Sequence, residues 1–214
     1  MHFFSQPSSA SIFAWGPLFK SFRQKIPEGV AHYGKEVIDA TQSNDEVTVT
    51  CSDQSQYKCD LLIGADGVNS KIRSLIFPNH QLEYSGCVLW RGNVSPDIFG
   101  DEPFPYPDTF TNMKPEGKKG NVAFFTSKDP TTPGKLVIAW ASYLPLTPEE
   151  LADARNGANG IKYQNFVPPG CLRPEVEKKF KDYFAPAVPE YQRKFLLETS
   201  NTSVEVRIHF LDFL

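Results

Sequence analysis

The stretch Asp60-Leu61-Leu62-Ile63-Gly64-Ala65-Asp66-Gly67-Val68-Asn69-Ser70-Lys71-Ile72-Arg73 constrains this chain more than any other. Residues 61–65 form a short apolar run without alternation, which predicts a strand buried on both faces, as in a parallel sheet. Asp66-Gly67 forces a turn, because Gly67 takes positive φ cheaply. Asn69 or Ser70 then caps a helix whose inward face is Ile72, Leu75 and Ile76. Strand, tight turn and helix N-terminus together aim backbone N–H groups at a bound anion or polar chain. Asp66 is placed to accept hydrogen bonds from a hydroxylated ligand, and Arg73 adds a positive charge one turn on. Gly67 makes the turn itself, which leaves the Asp66 side chain for a ligand. Without a ligand, the same residues make an ordinary strand-turn-helix.

The rest of the chain narrows the class. At 214 residues there is room for one large domain or two small ones, and 40% hydrophobic content is that of a globular protein. A net charge of −3 with no basic stripe gives nucleic acid no electrostatic foothold. Cys51, Cys59, Cys87 and Cys171 contain no C-x-x-C pair, which argues against a disulfide framework or a zinc site. His2, His32, His80 and His209 have no metal-ligand spacing, so no metal is expected. There is no G-x-S-x-G nucleophile elbow. The N-terminus lacks a basic region followed by a continuous apolar core, and no apolar run approaches membrane-spanning length. The expectation is a cytoplasmic protein.

Periodicity places the elements. A helix is predicted over 17–26, with Leu18, Phe19, Phe22 and Ile26 on one face. One or two short strands fall within 30–40. Val47, Val49 and Cys51 alternate as a half-buried strand, a turn at 53–56 follows, and the chain returns to Cys59. After residue 79 the character changes. A strand system starts at Tyr84, and the prolines from Pro96 to Pro115 mark long loops. Strands are predicted over 122–126 and 136–142. A helix over 148–155 has Thr147 as its cap and Glu149 and Glu150 in its first turn. A helix carrying Val176, Phe180, Tyr183 and Phe184 comes next, then a helix over 188–197 and a strand over 204–210. The fold class expected is α/β with mixed α+β character. Residues 1–79 form one part, and 80–214 a second part of mixed sheet and helices.

Several of these segments resemble the FAD-dependent aromatic-ring monooxygenases, the p-hydroxybenzoate-hydroxylase-like family. The Ala65-Asp66-Gly67, Ser70 and Arg73 fall at the spacing of that family's Asp-Gly motif, which lies against FAD and the path of NAD(P)H. Trp90-Arg91-Gly92, Trp140 with Tyr143, and the segment from Pro168 to Val176 are similar to the hydroxypyridine-hydroxylase branch. The resemblance implies that residues 1–79 are a remnant of a flavin-binding domain. Residues 80–214 would be a substrate-binding domain, truncated at its C-terminal end. It implies Asp66, Gly67 and Arg73 as cofactor-binding residues, and Trp90, Trp140 and Tyr143 as substrate-binding residues. Aromatics on strands are also simply core, and that reading stays open for these three. No catalytic residue is assigned. The implied chemistry is hydroxylation of an electron-rich aromatic or hydroxypyridine-like ring by NAD(P)H and O2, with FAD carrying the reaction.

Two family segments have no counterpart in this sequence. Its fourteen glycines include no G-x-G, so the G-x-G-x-x-G that cradles the FAD pyrophosphate is not present. Nor is the Gly-Asp-Ala that approaches the flavin ribityl chain. A helix N-terminus beside an anion contributes about 0.3–2 kcal/mol, whereas micromolar binding needs roughly 8 kcal/mol. Useful FAD affinity is therefore not expected from this chain alone. The expectation is an inactive fragment that self-associates or meets a partner chain through exposed sheet. The alternatives are a non-catalytic small-molecule-binding or interaction protein derived from the fold, or one half of a split enzyme.

Overall fold

Alternating apolar residues make Val47–Cys51 a strand with Val49 and Cys51 buried and its polar positions facing out. It is β2, the centre of a three-stranded antiparallel meander with β1 (Val37–Gln42) and β3 (Gln56–Cys59). Gln54, at φ 66, turns the chain between β2 and β3. The structure, a computed structural model, describes residues 15–79, 82–100, 110–128, 132 and 134–210. Among the described residues, 21–83 form one compact unit, and 15–20 with 84–209 form another, so the division falls within the first helix.

In the first unit, the helix α2 (Lys71–Ile76) follows the meander, capped by Ser70, with Ile72 buried. Ile76 is 62% exposed, so the inward face is narrower than its apolar pattern predicts. Residues 61–67 depart further from expectation. They form no strand, and Leu61 and Ile63 are 74% and 77% exposed. An apolar run becomes a buried strand only where neighbouring strands take its backbone groups and cover both faces. The meander does not do so: β1 and β3 are its two outer strands, and neither pairs with this run. The earlier helix, α1 (Trp15–Arg23), ends sooner than predicted, and its Leu18, Phe19 and Phe22 are exposed. Ile26 lies in the turn beyond it and is exposed as well.

The second unit is a six-stranded sheet in the order β5-β6-β7-β4-β9-β8, with helices on one face. Its strands are β4 (Leu82–Val94), β5 (Thr111–Met113), β6 (Asn121–Lys128), β7 (Leu136–Pro145), β8 (Phe166–Val167) and β9 (Ser203–Phe210). The pairs β4–β7, β5–β6, β6–β7 and β8–β9 are antiparallel. The helices are α3 (Pro148–Ala154), α4 (Pro174–Phe184) and α5 (Glu190–Glu198). α3 carries a full capping box: Glu150 N donates to Thr147 Oγ1, and Thr147 N donates to Glu150 Oε2 at 2.8 Å. The Pro-rich stretch holds a 3₁₀ turn at Pro96–Phe99 and the strand β5. Residues 101–109 of that stretch lie outside the described residues.

The core lies between the sheet and the helices. Val88, Trp90, Ile138, Trp140, Phe180, Phe184, Phe195 and Leu196 are all buried there. Phe180 of α4 stacks on Trp90 at 4.5 Å and on Trp140 at 5.2 Å. Trp140 Nε1 donates to Thr199 Oγ1 at 2.8 Å. Gly92 permits this packing, because a Cβ there would lie 2.5 Å from Thr199 Cγ2 and 2.7 Å from the Trp140 ring.

Candidate functional site: the Asp-Gly turn and the sheet face

Gly67 adopts φ +78 and completes the turn the sequence requires. Asp66 then folds its carboxylate back over the start of α2. Oδ2 accepts Lys71 N at 2.7 Å and Ile72 N at 3.1 Å, while Oδ1 accepts the Ser70 hydroxyl. Ser70 Oγ in turn accepts Arg73 N at 2.9 Å. The Ser70 hydroxyl, followed by the backbone N–H groups, holds the Asp66 carboxyl below the usual carboxylate range. Arg73 Nη1 donates to Gly67 O at 3.3 Å, and Nη2 donates to Val68 O. Asp66 and Arg73 thus tie the two ends of the same short loop. Asp66 is a capping residue as well as a turn residue, so the sequence argument that gave folding to Gly67 and ligand contact to Asp66 divided the roles too sharply.

The consequence for an anion is direct. The N–H groups of Lys71, Ile72 and Arg73, which the sequence reading aimed at a ligand, are taken by Asp66 and Ser70. Gly64 lies close to the same helix: a Cβ there would sit 2.8 Å from Ile72 Cγ2. The apolar run gave no sign of that contact, since it depends on where α2 turns back. Two recesses flank the turn. One, of about 550 Å³, includes Ile38, Val68, Asn69, Arg73 and Phe77. The other, of about 450 Å³, includes Lys35, Leu62, Gly64, Asp66 and Ile72. Lys35 is engaged with Asp53 and with Ser55 Oγ at 3.2 Å.

These residues do not fit a whole FAD by themselves. The helix N-terminus is occupied by the chain's own carboxylate and hydroxyl, no glycine-rich phosphate cradle is present, and Leu61 and Ile63 face outward.

The three aromatics assigned to substrate do not come together. Trp90 and Trp140 lie on the helix side of the sheet and are buried against Phe180. Tyr143 is three residues beyond Trp140 on β7, so it projects from the opposite face, where it is 41% exposed. That strand parity was available in the sequence and separates the three. Leu89 and Arg91 are the β4 partners of Tyr143 and Ala141 and share that face. Arg91 Nη2 pairs with Glu205 Oε2 there at 2.6 Å. Arg91 stands in the Trp90-Arg91-Gly92 segment, but its pairing with Glu205 could not be read from the sequence, because it needs β9 to lie beside β4.

No protein-family profile matches the chain. A salicylate hydroxylase of Pseudomonas putida is 40% identical over 74 residues, which is 32% of this chain and 17% of that enzyme. Among solved structures, the 2,6-dihydroxypyridine-3-hydroxylase from Arthrobacter nicotinovorans superposes with a TM-score of 0.71 at 21% identity. It covers 87% of this chain and 47% of its own. Klebsiella pneumoniae HpxO complexed with FAD and uric acid superposes with a TM-score of 0.55 at 21% identity, over 84% of this chain and 39% of its own. The chain therefore spans less than half the length of these two solved structures.

Proposed function

We propose, from this chain's sequence and fold relationship to the FAD-dependent aromatic hydroxylases, that it forms the central portion of such an enzyme and is inactive alone. The reaction proposed for the whole enzyme is hydroxylation of an electron-rich aromatic or hydroxypyridine-like ring, with NAD(P)H and O2 as co-substrates. FAD, when bound, supplies the oxygen chemistry. Residues up to about 79 belong to the flavin side and those from about 80 to the substrate side. The observation that carries this reading is the self-capped Asp-Gly turn, whose Asp66, Gly67 and Arg73 stand at the motif's spacing.

In this role the chain's own residues position rather than react. The ties from Asp66 and Arg73 hold the loop rigid at Gly67, whose missing side chain lets a flat ring approach the backbone; nothing lies within 4 Å of a Cβ built there. On the substrate side, Tyr143 and the Arg91–Glu205 pair offer a hydroxyl and paired charges to a polar ring. Exposed Leu61 and Ile63 support association through that segment, with a second copy or with the part of the enzyme that completes the flavin site.

The test is a chimera in which this chain replaces the matching portion of the 2,6-dihydroxypyridine-3-hydroxylase. A yellow protein whose NAD(P)H oxidation rises with an aromatic substrate is expected. A folded chimera that binds no flavin would refute the proposal.

A further inference from the structure

The helix α1 and the turn after it carry an apolar face that stays exposed. Leu18, Phe19 and Phe22 fall at the three- and four-residue spacing that sets side chains on one side of a helix. All three are exposed, Phe22 to 64%. Lys25 N donates to Phe22 O at 2.9 Å, and Ile26 N donates to Arg23 O at 3.2 Å. The winding therefore runs on to Ile26, which is exposed as well. Single apolar residues on a surface need no explanation, but a cluster along one short element marks an interaction site.

The charges beside this face have one sign. Lys20, Arg23 and Lys25 lie in the same stretch, and residues 1–27 contain no aspartate or glutamate, although the whole chain carries −3. Successive helical residues turn by about 100°, so Arg23 borders the apolar face next to Phe19. Its guanidinium lies 4.5 Å from the centre of the exposed Tyr33 ring, which keeps the charge beside the face. Long basic side chains at the edge of an apolar stripe lay their stems along it and turn their charges outward. A second copy of the same face would set these cations against each other. A negatively charged surface with an apolar interior suits both features. At nine residues α1 is too short to cross a bilayer, so it would lie on one rather than span it.

We propose that this face docks on an anionic lipid bilayer. Leu18, Phe19, Phe22 and Ile26 enter the boundary between headgroups and acyl chains, and Lys20, Arg23 and Lys25 meet the lipid phosphates. The proposal is independent of the flavin reading, since it draws on neither the Asp-Gly turn nor the six-stranded sheet.

Co-sedimentation of the full chain with vesicles tests it. One set holds equal parts of phosphatidylglycerol and phosphatidylcholine, and the other phosphatidylcholine alone. The chain is expected to bind the anionic set about 100-fold more tightly, and that preference should shrink as salt rises. Replacing Lys20, Arg23 and Lys25 together by glutamine should abolish the preference, at about fivefold per cation. Phe22→Ser should weaken binding to both sets about tenfold. Its ring is exposed in the folded chain, so this variant leaves the packed core intact. Equal binding to the two sets, binding to neither, or a Phe22→Ser variant that binds like the parent would overturn the proposal. So would a self-associated chain that Phe22→Ser returns to monomer, because the face would then belong to a second copy.

Discussion

The carboxylate of Asp66 accepts the Lys71 amide at 2.7 Å across the Asp-Gly turn, so one side chain both shapes the loop and starts the helix. Asp66→Ala should therefore cost stability even without a cofactor. A lost helix cap costs about 0.5–2 kcal/mol. Hydrogen exchange of the Lys71 and Ile72 amides should accelerate, while β6 and β7 keep their protection. Unchanged exchange at those two amides would remove Asp66 from its capping role.

Thr199 links Trp140 to α5: Oγ1 accepts Trp140 Nε1 and donates to Phe195 O at 2.7 Å. Thr199→Val keeps the shape and strands the indole donor, at about 1–3 kcal/mol. A urea titration should show a lower midpoint with an unchanged slope.

Gly92 meets Trp140 and Thr199 at the same point. Gly92→Ala places a methyl group inside both contacts, and overpacking of that kind costs about 1–3 kcal/mol. A variant as stable as the parent would show that the sheet and the C-terminal end of α5 are not packed as described.

Much of the second unit was legible because its signals are local. The Thr147–Glu150 capping box announces α3, and the alternation through Val204 and Val206 announces β9. The site was less legible because it depends on partners distant in sequence. Leu61 and Ile63 read as a buried strand, yet burial belongs to whatever packs against them, and no alternation in the run itself reports that. Trp140 and Tyr143 read as one aromatic set, although their odd spacing on a strand puts them on opposite faces. Arg91 and Glu205 lie 114 positions apart, and only the β4–β9 adjacency joins them.

Acid should loosen the meander unit. Lys35 and Ser55 hold the Asp53 carboxyl far below its ordinary range, and Ser70 lowers that of Asp66. A depressed folded-state value contributes stability that is full above the unfolded value, about 3.9, and is lost as pH falls through the folded one. Lys35 is raised by Asp53, so its contribution is present below its ordinary range and lost as pH rises through its folded value. Protection of β1 and β2 amides should fall with pH below about 4, and Asp53→Asn should flatten that dependence. A pH-independent profile in the parent chain would contradict the assigned ties.

The most direct test of the central claim is the flavin content of the purified chain after saturation with FAD and desalting, measured by absorbance beside the chimera. The Asp66 and Ser70 caps occupy the α2 amides, so the chain alone should be colourless while the chimera holds about one FAD per chain. A yellow chain carrying one FAD by itself, or a folded chimera without flavin, would contradict the account.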